Sequence, residues 1–452
     1  MSSFKKRLDH LSPAQLIVVF YFVAVGISIL LLSLPITAKP GVDLSFLDIM
    51  FTAVSAISVT GLTVIQIVDS FSTAGIFILI FILQIGGIGI MTLGTFLWLI
   101  LGKKIGLKER RLIMTDQNQS NLAGLVKLMK QILYIILLIE LMGALILGTY
   151  FLKYYPNWQD AYLHGIFASV SATTNGGFDI TGQSLIPYAD DYFVQCVNII
   201  LITLGAIGFP VLIELKDFLL KKNDQRVRFH FSLYTKLTTV TFFGLMIVGT
   251  ILILVIEYNR FFDGLSWHKS FFYAFFQSTT TRSGGLSTMD VSQFSEPTLI
   301  IICMLMFIGA SPSSVGGGIR TTTFAINVLF LINFARGRSS IKVFRRELDQ
   351  TDVTKSLAVT LLASFMCAGS VIFLSITEPS FSMIEILFEV CSAFGTVGLS
   401  MGITPDLSVV GKILIMCLMF IGRIGLLTFL IILGIKQKET LYNYPKERVI
   451  IG

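Results

Sequence analysis

Phe388-Glu389-Val390-Cys391-Ser392-Ala393-Phe394-Gly395-Thr396-Val397-Gly398-Leu399-Ser400 runs from a short amphipathic segment into a Thr-Val-Gly turn, and its pattern occurs four times in the chain. The pattern is Phe, three residues, Ser or Thr, Ala or Thr, four residues, Gly, then Leu or Phe. The other copies are Phe51-Ser55-Ala56-Gly61-Leu62, Phe167-Ser171-Ala172-Gly177-Phe178 and Phe275-Thr279-Thr280-Gly285-Leu286. The key glycines stand 116, 108 and 113 residues apart in a chain of 452. A period near one quarter of the length, with the same Phe-to-Gly spacing in every copy, marks internal repetition rather than chance.

A second signature follows each copy inside the next apolar run: Gly86-Gly87-Ile88-Gly89, Gly205-Ala206-Ile207-Gly208, Gly309-Ala310-Ser311-Pro312 and Gly422-Arg423-Ile424-Gly425. Each repeat therefore reads as apolar span, short amphipathic segment, polar Gly turn, apolar span, termed M1, P, filter and M2. M1 is expected near 14–36, 131–152, 234–256 and 355–376, and M2 near 72–101, 190–215, 298–335 and 410–435. Most of these runs can cross a hydrocarbon core of about 30 Å at about 1.5 Å per residue. The P segments, near 45–58, 160–172, 268–280 and 381–394, are too short to cross and suit re-entrant half-helices. The expectation is an all-α membrane protein of four tandem, K⁺-channel-like M1–P–M2 repeats with pseudo-fourfold symmetry. It has eight transmembrane helices and four re-entrant pore loops. The repeats occupy 1–102, 103–222, 223–340 and 341–452, the last ending in a cytoplasmic C-terminus.

Composition agrees. Hydrophobic residues make up 54% and charged residues 13%, about half the charge of an ordinary soluble domain. The five cysteines lie singly in apolar runs, without a CxxC or a nearby His, so neither a disulfide framework nor a zinc site is expected. Lys5-Lys6-Arg7 and the run from Ala14 to Ile36 read as a retained first span, since the run exceeds a signal-peptide core. The net charge of +7 needs no nucleic acid. The N-terminus, the inter-repeat linkers and the C-terminus hold 26 of the 34 Lys and Arg residues, with clusters at Lys103-Lys104, Arg110-Arg111, Lys221-Lys222 and Arg345-Arg346. Basic segments mark the cytoplasmic side, which puts every repeat boundary and both termini inside. Each repeat then crosses an even number of times, and P cannot be a third span.

Non-helical backbone at membrane depth is tolerated where it is buried in protein or lines a water-filled cavity. Four such turns on one axis supply rings of carbonyl oxygens that can replace a cation's hydration shell. The filter candidates are Val59, Thr60 and Gly61; Thr174, Asn175, Gly176 and Gly177; Arg282, Ser283, Gly284 and Gly285; and Gly395, Thr396, Val397 and Gly398. Thr396-Val397-Gly398-Leu399-Ser400 resembles the TVGYG strand of K⁺ channels, which makes K⁺ the expected ion.

With these motifs in hand, the whole chain resembles the Trk/Ktr/HKT superfamily of K⁺ uptake proteins, and most of all the KtrB-type membrane subunits. The resemblance rests on the four filter glycines and on Leu11-Ser12-Pro13 leading directly into the first span. It implies K⁺ uptake at a bacterial plasma membrane, with K⁺ held at the filter carbonyls. Na⁺ is a candidate activating or coupling ion, and no covalent cofactor is implied. It implies a homodimer docked on a KtrA-like ring of RCK-type nucleotide-binding subunits, embedded in a lipid bilayer.

The third M2 is interrupted by the fifteen residues 309–323, which include Gly309, Ala310, Ser311, Pro312, Ser313, Ser314, Val315, Gly316, Gly317 and Gly318. Pro and clustered Gly break helix, and the resemblance makes this stretch a gate loop below the filter. Arg423 replaces the small residue found at Gly87, Ala206 and Ala310. A mid-span cation costs roughly 2.5 to 3.5 kcal/mol on insertion scales. The resemblance puts Arg423 beside the loop as a barrier to cations; the bland alternative pairs it with Glu140. Arg282 is expected to brace the third filter turn from behind; Asp179 is a candidate partner for it, an outer-mouth attractor for cations, or a solvated loop charge. Asp48, Glu385 and Glu389 suit caps and solvated faces better than ion attraction.

Two other classes are disfavoured. An alternating-access carrier built on inverted repeats needs opposite orientations, whereas all four repeats carry the same charge sense. An intramembrane enzyme needs paired Asp, Ser/His or HExxH residues at depth, and the chain has none.

Overall fold

The computed structural model describes residues 11–89, 110, 114, 124–220, 229–338, 340–433, 445 and 447. The inner half of the first M2, the basic clusters at 103–104 and 221–228, and most of the C-terminus lie outside the described residues.

Four long helices fall where M1 was expected: α1 (Pro13–Leu32), then, further along, Leu125–Phe151, Leu233–Glu257 and Gln350–Thr377. They are apolar on all sides. On α1, Tyr21, Ala24, Val25, Ser28 and Leu32 are buried, yet Phe22, Val23, Ile27 and Leu30 face outward. An outer face as greasy as the inner one suits lipid rather than water.

The first repeat continues with α2 (Phe46–Ser58), a single turn at Ile67–Ser70, and α3 (Thr73–Ile88). The second has α4 (Leu125–Phe151), α5 (Trp158–Thr173), α6 (Tyr192–Ala206) and α7 (Phe209–Leu220). The third has α8 (Leu233–Glu257), α9 (Trp267–Thr280), α10 (Glu296–Ile308) and α11 (Thr321–Ala335). A two-stranded hairpin, β1 (Lys342–Val343) and β2 (Arg346–Glu347), precedes the fourth and is a small departure from an all-α chain. The fourth has α12 (Gln350–Thr377), α13 (Met383–Gly395), α14 (Val409–Ile424) and α15 (Leu426–Leu433).

Local chemistry sets the helix starts. Ser12, Ser45 and Ser382 each form a capping box, with Gln15, Asp48 and Glu385 as the reciprocal partners. Asp48 and Glu385 are therefore caps. The C-terminal end of each M1 also ties down its own M2. Ser72 donates to Ile36 O, while Ser295 and Ser408 donate to the carboxylates of Glu257 and Glu378. In the second repeat Asp191 caps α6, and its carboxylate also accepts from Tyr150 and Tyr154.

The M2 helices depart from the expectation of continuous runs outside the third repeat. α3 ends at Gly89 (φ 89°), α6 and α7 meet at Gly208 (φ 103°) with a bend of 105°, and α14 gives way to α15 at Gly425 (φ 88°). In the third repeat the break comes one turn earlier, at Gly309 (φ 66°), and Pro312 occupies the place of the other three glycines. A hydropathy window sees the glycines as part of an apolar run, so the breaks are invisible to it.

Packing closes a ring. Each M1 packs on the short helix of its own repeat, as α1 on α2 and α4 on α5. Each M2 packs on the short helix of the next repeat: α3 on α5, α6 on α9, α10 on α13, and α14 back on α2.

Candidate functional site: the glycine ring and the loop beneath it

The four short helices deliver their C-terminal ends to the ring's centre. Buried phenylalanines within these helices are the anchors: Phe51, Phe167 and Phe388 are fully buried. In the third repeat Phe275 is only half-buried, and Phe276 takes the anchoring place. The repeat is thus one residue shorter there in space than the sequence pattern implies.

The recurrent Ser/Thr of the pattern fastens the turn that follows. Gly61 N–H donates to Ser55 Oγ and Gly398 N–H to Ser392 Oγ, both at 3.1 Å. Ser171 Oγ donates to Phe178 O at 2.6 Å. In the third repeat Thr280 rather than Thr279 does this, donating to Leu286 O at 2.6 Å, in step with the shifted Phe.

The turns share one backbone conformation. The residue two before each key glycine is left-handed: Val59 (φ 55°), Asn175 (53°), Ser283 (67°) and Thr396 (47°). The glycines themselves are at 92°, 67°, 69° and 95°. Alternating the sign of φ along a strand turns successive carbonyls to the same side, which an ordinary strand cannot do.

These turns converge. A Cβ on Gly61 would lie 2.8 Å from Gly177 Cα, and one on Gly177 would lie 3.0 Å from Gly285 Cα. A Cβ on Gly285 would lie 3.4 Å from Gly398 Cα, and one on Gly398 would lie 3.1 Å from Gly61 Cα. The four glycines form a closed ring, with the carbonyls of Thr60, Gly176 and Val397 at its inner contacts. The C-terminal ends of four helices point their partial negative charge at this ring, which favours a cation there.

The remaining filter candidates line or brace the turns. Thr174 donates to Val170 O and packs against Gly87. Thr60 shares a hydrogen bond with Ser58, and Ser283 Oγ donates to Gly395 O at 3.1 Å. Gly284 packs against Thr280. Arg282 is fully buried and points away from the ring, its Nη2 donating to Leu305 O. The expected Arg282–Asp179 pairing does not form: the Asp179 carboxylate closes its own turn by accepting from Thr181 and Gly182 N–H.

The interrupted stretch of the third M2 lies directly under the ring. A Cβ on Gly316 would meet Ser283 Cβ at 2.6 Å, and one on Gly317 would meet Thr396 Oγ1 at 2.6 Å. Ser311 and Val315 N–H donate to Ala206 O and Gly205 O of the second repeat, and Phe209 N–H donates to Ser313 O. Ala310 N–H donates to Gly317 O, which folds the loop on itself, and Gly318 packs against Gly309. Pro312 is buried and Ser314 Oγ donates to Ser311 O.

Two guanidinium groups hold the loop. Arg423 donates to Val315 O and to Gly86 O of the first repeat. Glu140, its alternative partner, instead accepts from Gln84. Arg320, which the sequence motifs did not single out, donates to Ser311 O and Gly316 O. Glu389 was also misjudged. It is fully buried behind the fourth turn and accepts from Ser400 at 2.8 Å and from Thr404.

A closed ring of glycines between four short helices, in a largely helical molecule with greasy outer faces, defines a polytopic membrane protein, and its relatives make it a transporter rather than an enzyme. The chain belongs to the TrkH cation transport protein family, whose model matches residues 5–442. It is 63% identical over 449 residues to the Ktr system potassium uptake protein D of Bacillus subtilis, covering 99% of both chains. It is 36% identical to the Ktr system potassium uptake protein B of that organism, over 98% of this chain and 97% of that one. The crystal structure of the potassium transporter TrkH from Vibrio parahaemolyticus has the same fold, with a TM-score of 0.72 at 20% identity over 94% of this chain and 86% of that one.

Proposed function

We propose that this protein takes up K⁺ across the bacterial plasma membrane through the glycine ring, gated by the loop at 309–318. The observation that carries the reading is the closed contact of Gly61, Gly177, Gly285 and Gly398 at the C-terminal ends of four short helices. Carbonyl oxygens there substitute for water around a dehydrated cation. The chain crosses the bilayer eight times in four M1–P–M2 repeats, with the four short helices re-entering from outside. Arg320 and Arg423 place positive charge in the cation path and hold the loop shut, so conduction requires the loop to move.

The relatives support the ion and the partner. Two are named as Ktr system potassium uptake proteins, and a third, 35% identical over the full length of both chains, is the potassium/sodium uptake protein NtpJ of Enterococcus hirae. A Ktr system implies a second component. We assign a homodimer on a cytoplasmic RCK-type nucleotide-binding ring, with Na⁺ as an activating or coupling ion.

Growth rescue tests the reading. Expressed with a Ktr-type cytoplasmic subunit in a K⁺-uptake-deficient bacterium, the protein restores growth at low external K⁺. Gly398→Ser lowers the K⁺/Na⁺ uptake ratio about tenfold, roughly 1.4 kcal/mol of discrimination, because φ of 95° and the carbonyl of Thr60 leave no room for a side chain. No rescue by the wild type, or an unchanged ratio in the variant, contradicts it.

A further inference from the structure

The 105° break between α6 and α7 leaves backbone groups at Gly205, Ala206 and Phe209 without helical partners. The loop of the third repeat supplies them, through Ser311, Val315 and Ser313. Pro312, between these contacts, is buried and its carbonyl accepts from the phenol of Tyr234 at 2.5 Å. Tyr234 stands in the first turn of α8, whose start is fixed from α7: Glu214 accepts from Ser232 N–H at 3.0 Å. Gly208 completes the junction. A Cβ there would lie 2.9 Å from both Pro312 O and Tyr234 Oη, so the three groups meet only because residue 208 has no side chain.

We propose that Tyr234 is a positioning residue for the gate: its hydroxyl latches Pro312 to the start of α8, beside the bend of the second repeat, and holds the loop closed. The proposal rests on the loop being the gate. It adds that closure is enforced from the start of α8, itself held by α7 of the second repeat, and not by the guanidinium groups alone. α7 carries Phe209 and Glu214 on one rigid helix, so a shift of α7 strains the loop contact and the α8 start together. Tyr234 lies on the loop's flank and does not reach the glycine ring, so releasing it changes how often the path opens and not which ion passes.

The test uses the full chain in inverted membrane vesicles. Tyr234→Phe removes one hydrogen bond and no packing, and the expected outcome is a two- to tenfold rise in K⁺ flux without cytoplasmic activation, the range about one such bond supports. The K⁺/Na⁺ ratio stays at the wild-type value. A Ser313→Cys reporter is labelled faster by a charged thiol reagent when Tyr234→Phe is present, measured against vesicles lacking the reporter because Cys196 and Cys417 are exposed. Gly208→Ala, which must push Tyr234 from Pro312, acts in the same direction and carries the test if Tyr234→Phe fails to reach the membrane. Flux and labelling both unchanged in the variant overturn the latch. Deleting Ser311 to Gly317 separates the two readings: raised flux on deletion with a silent Tyr234→Phe defeats the latch alone, while unchanged flux on deletion defeats the gate.

Discussion

Val59 and Thr396 are β-branched residues held in the left-handed region, a placement costing roughly 1–2 kcal/mol apiece. The surroundings hold them there: Thr60 and Val397 N–H donate to Ser55 O and Ser392 O, and the next N–H donates to the hydroxyl of the same serine. The key glycines were legible in the sequence because they repeat with a period. Their left-handed companions were not, since Val, Asn, Ser and Thr share no signature for that conformation. Glu389 was missed for a related reason. It sits in the middle of α13, where an acid ordinarily faces solvent, and only the folded turn brings Ser400 and Thr404 onto its carboxylate. Glu389→Leu would remove the acceptor of the buried Thr404 hydroxyl and leave it Ser400 alone as partner, a penalty of about 1–3 kcal/mol. We expect it to lower the melting temperature in detergent and to blunt K⁺/Na⁺ discrimination about tenfold, whereas Glu389→Gln, which keeps an acceptor, stays near wild type. Equal damage from Gln and Leu in melting and ion-competition measurements would mean that the charge matters and the acceptor does not.

At the scale of elements, apolar run length located the long helices to within a few residues. Leu233–Glu257 lies within one residue of the expected 234–256, whereas Leu125–Phe151 begins six residues before the expected 131, because Lys127 and Lys130 extend that helix beyond its apolar run. The breaks at Gly89, Gly208 and Gly425 escaped notice, being single residues inside apolar runs. In the third repeat the break was legible because Pro312 and seven nearby glycines and serines accumulate in one stretch. The register slip at Phe275/Phe276 also lay beyond sequence, since both residues are Phe and only burial tells them apart. Close approach of elements depends on small residues. A Cβ on Gly165 of α5 would sit 2.5 Å from Gly148 Cα of α4, while one on Gly26 of α1 would meet nothing within 4 Å. Gly165→Leu should therefore drive α5 off α4 and lower the yield of folded protein severalfold in fluorescence-detected size exclusion. Gly26→Leu should leave that yield unchanged. The reverse order would refute the packing described.

Across the whole molecule, the chain encircles an axis. M2 of each repeat supports the short helix of the next, and the fourth closes on the first, so no repeat can form its filter turn alone. That closure converts four modest sequence motifs into one site, and it explains why the motifs were readable only as a set. The same arrangement gathers the other repeats around a loop of the third: Gly205 and Arg423 bond it, and Gly86 of the first repeat accepts from Arg423. None of these cross-repeat contacts has a sequence signature, because each joins residues about a hundred or more positions apart. Diffraction from crystals grown with Tl⁺ or Rb⁺ in place of K⁺ tests the central claim most directly. The account predicts anomalous density on the axis among the carbonyls of Thr60, Gly176, Gly284 and Val397, lost in Gly398→Ser. Density confined to other sites, or axial density that persists unchanged in that variant, would contradict it.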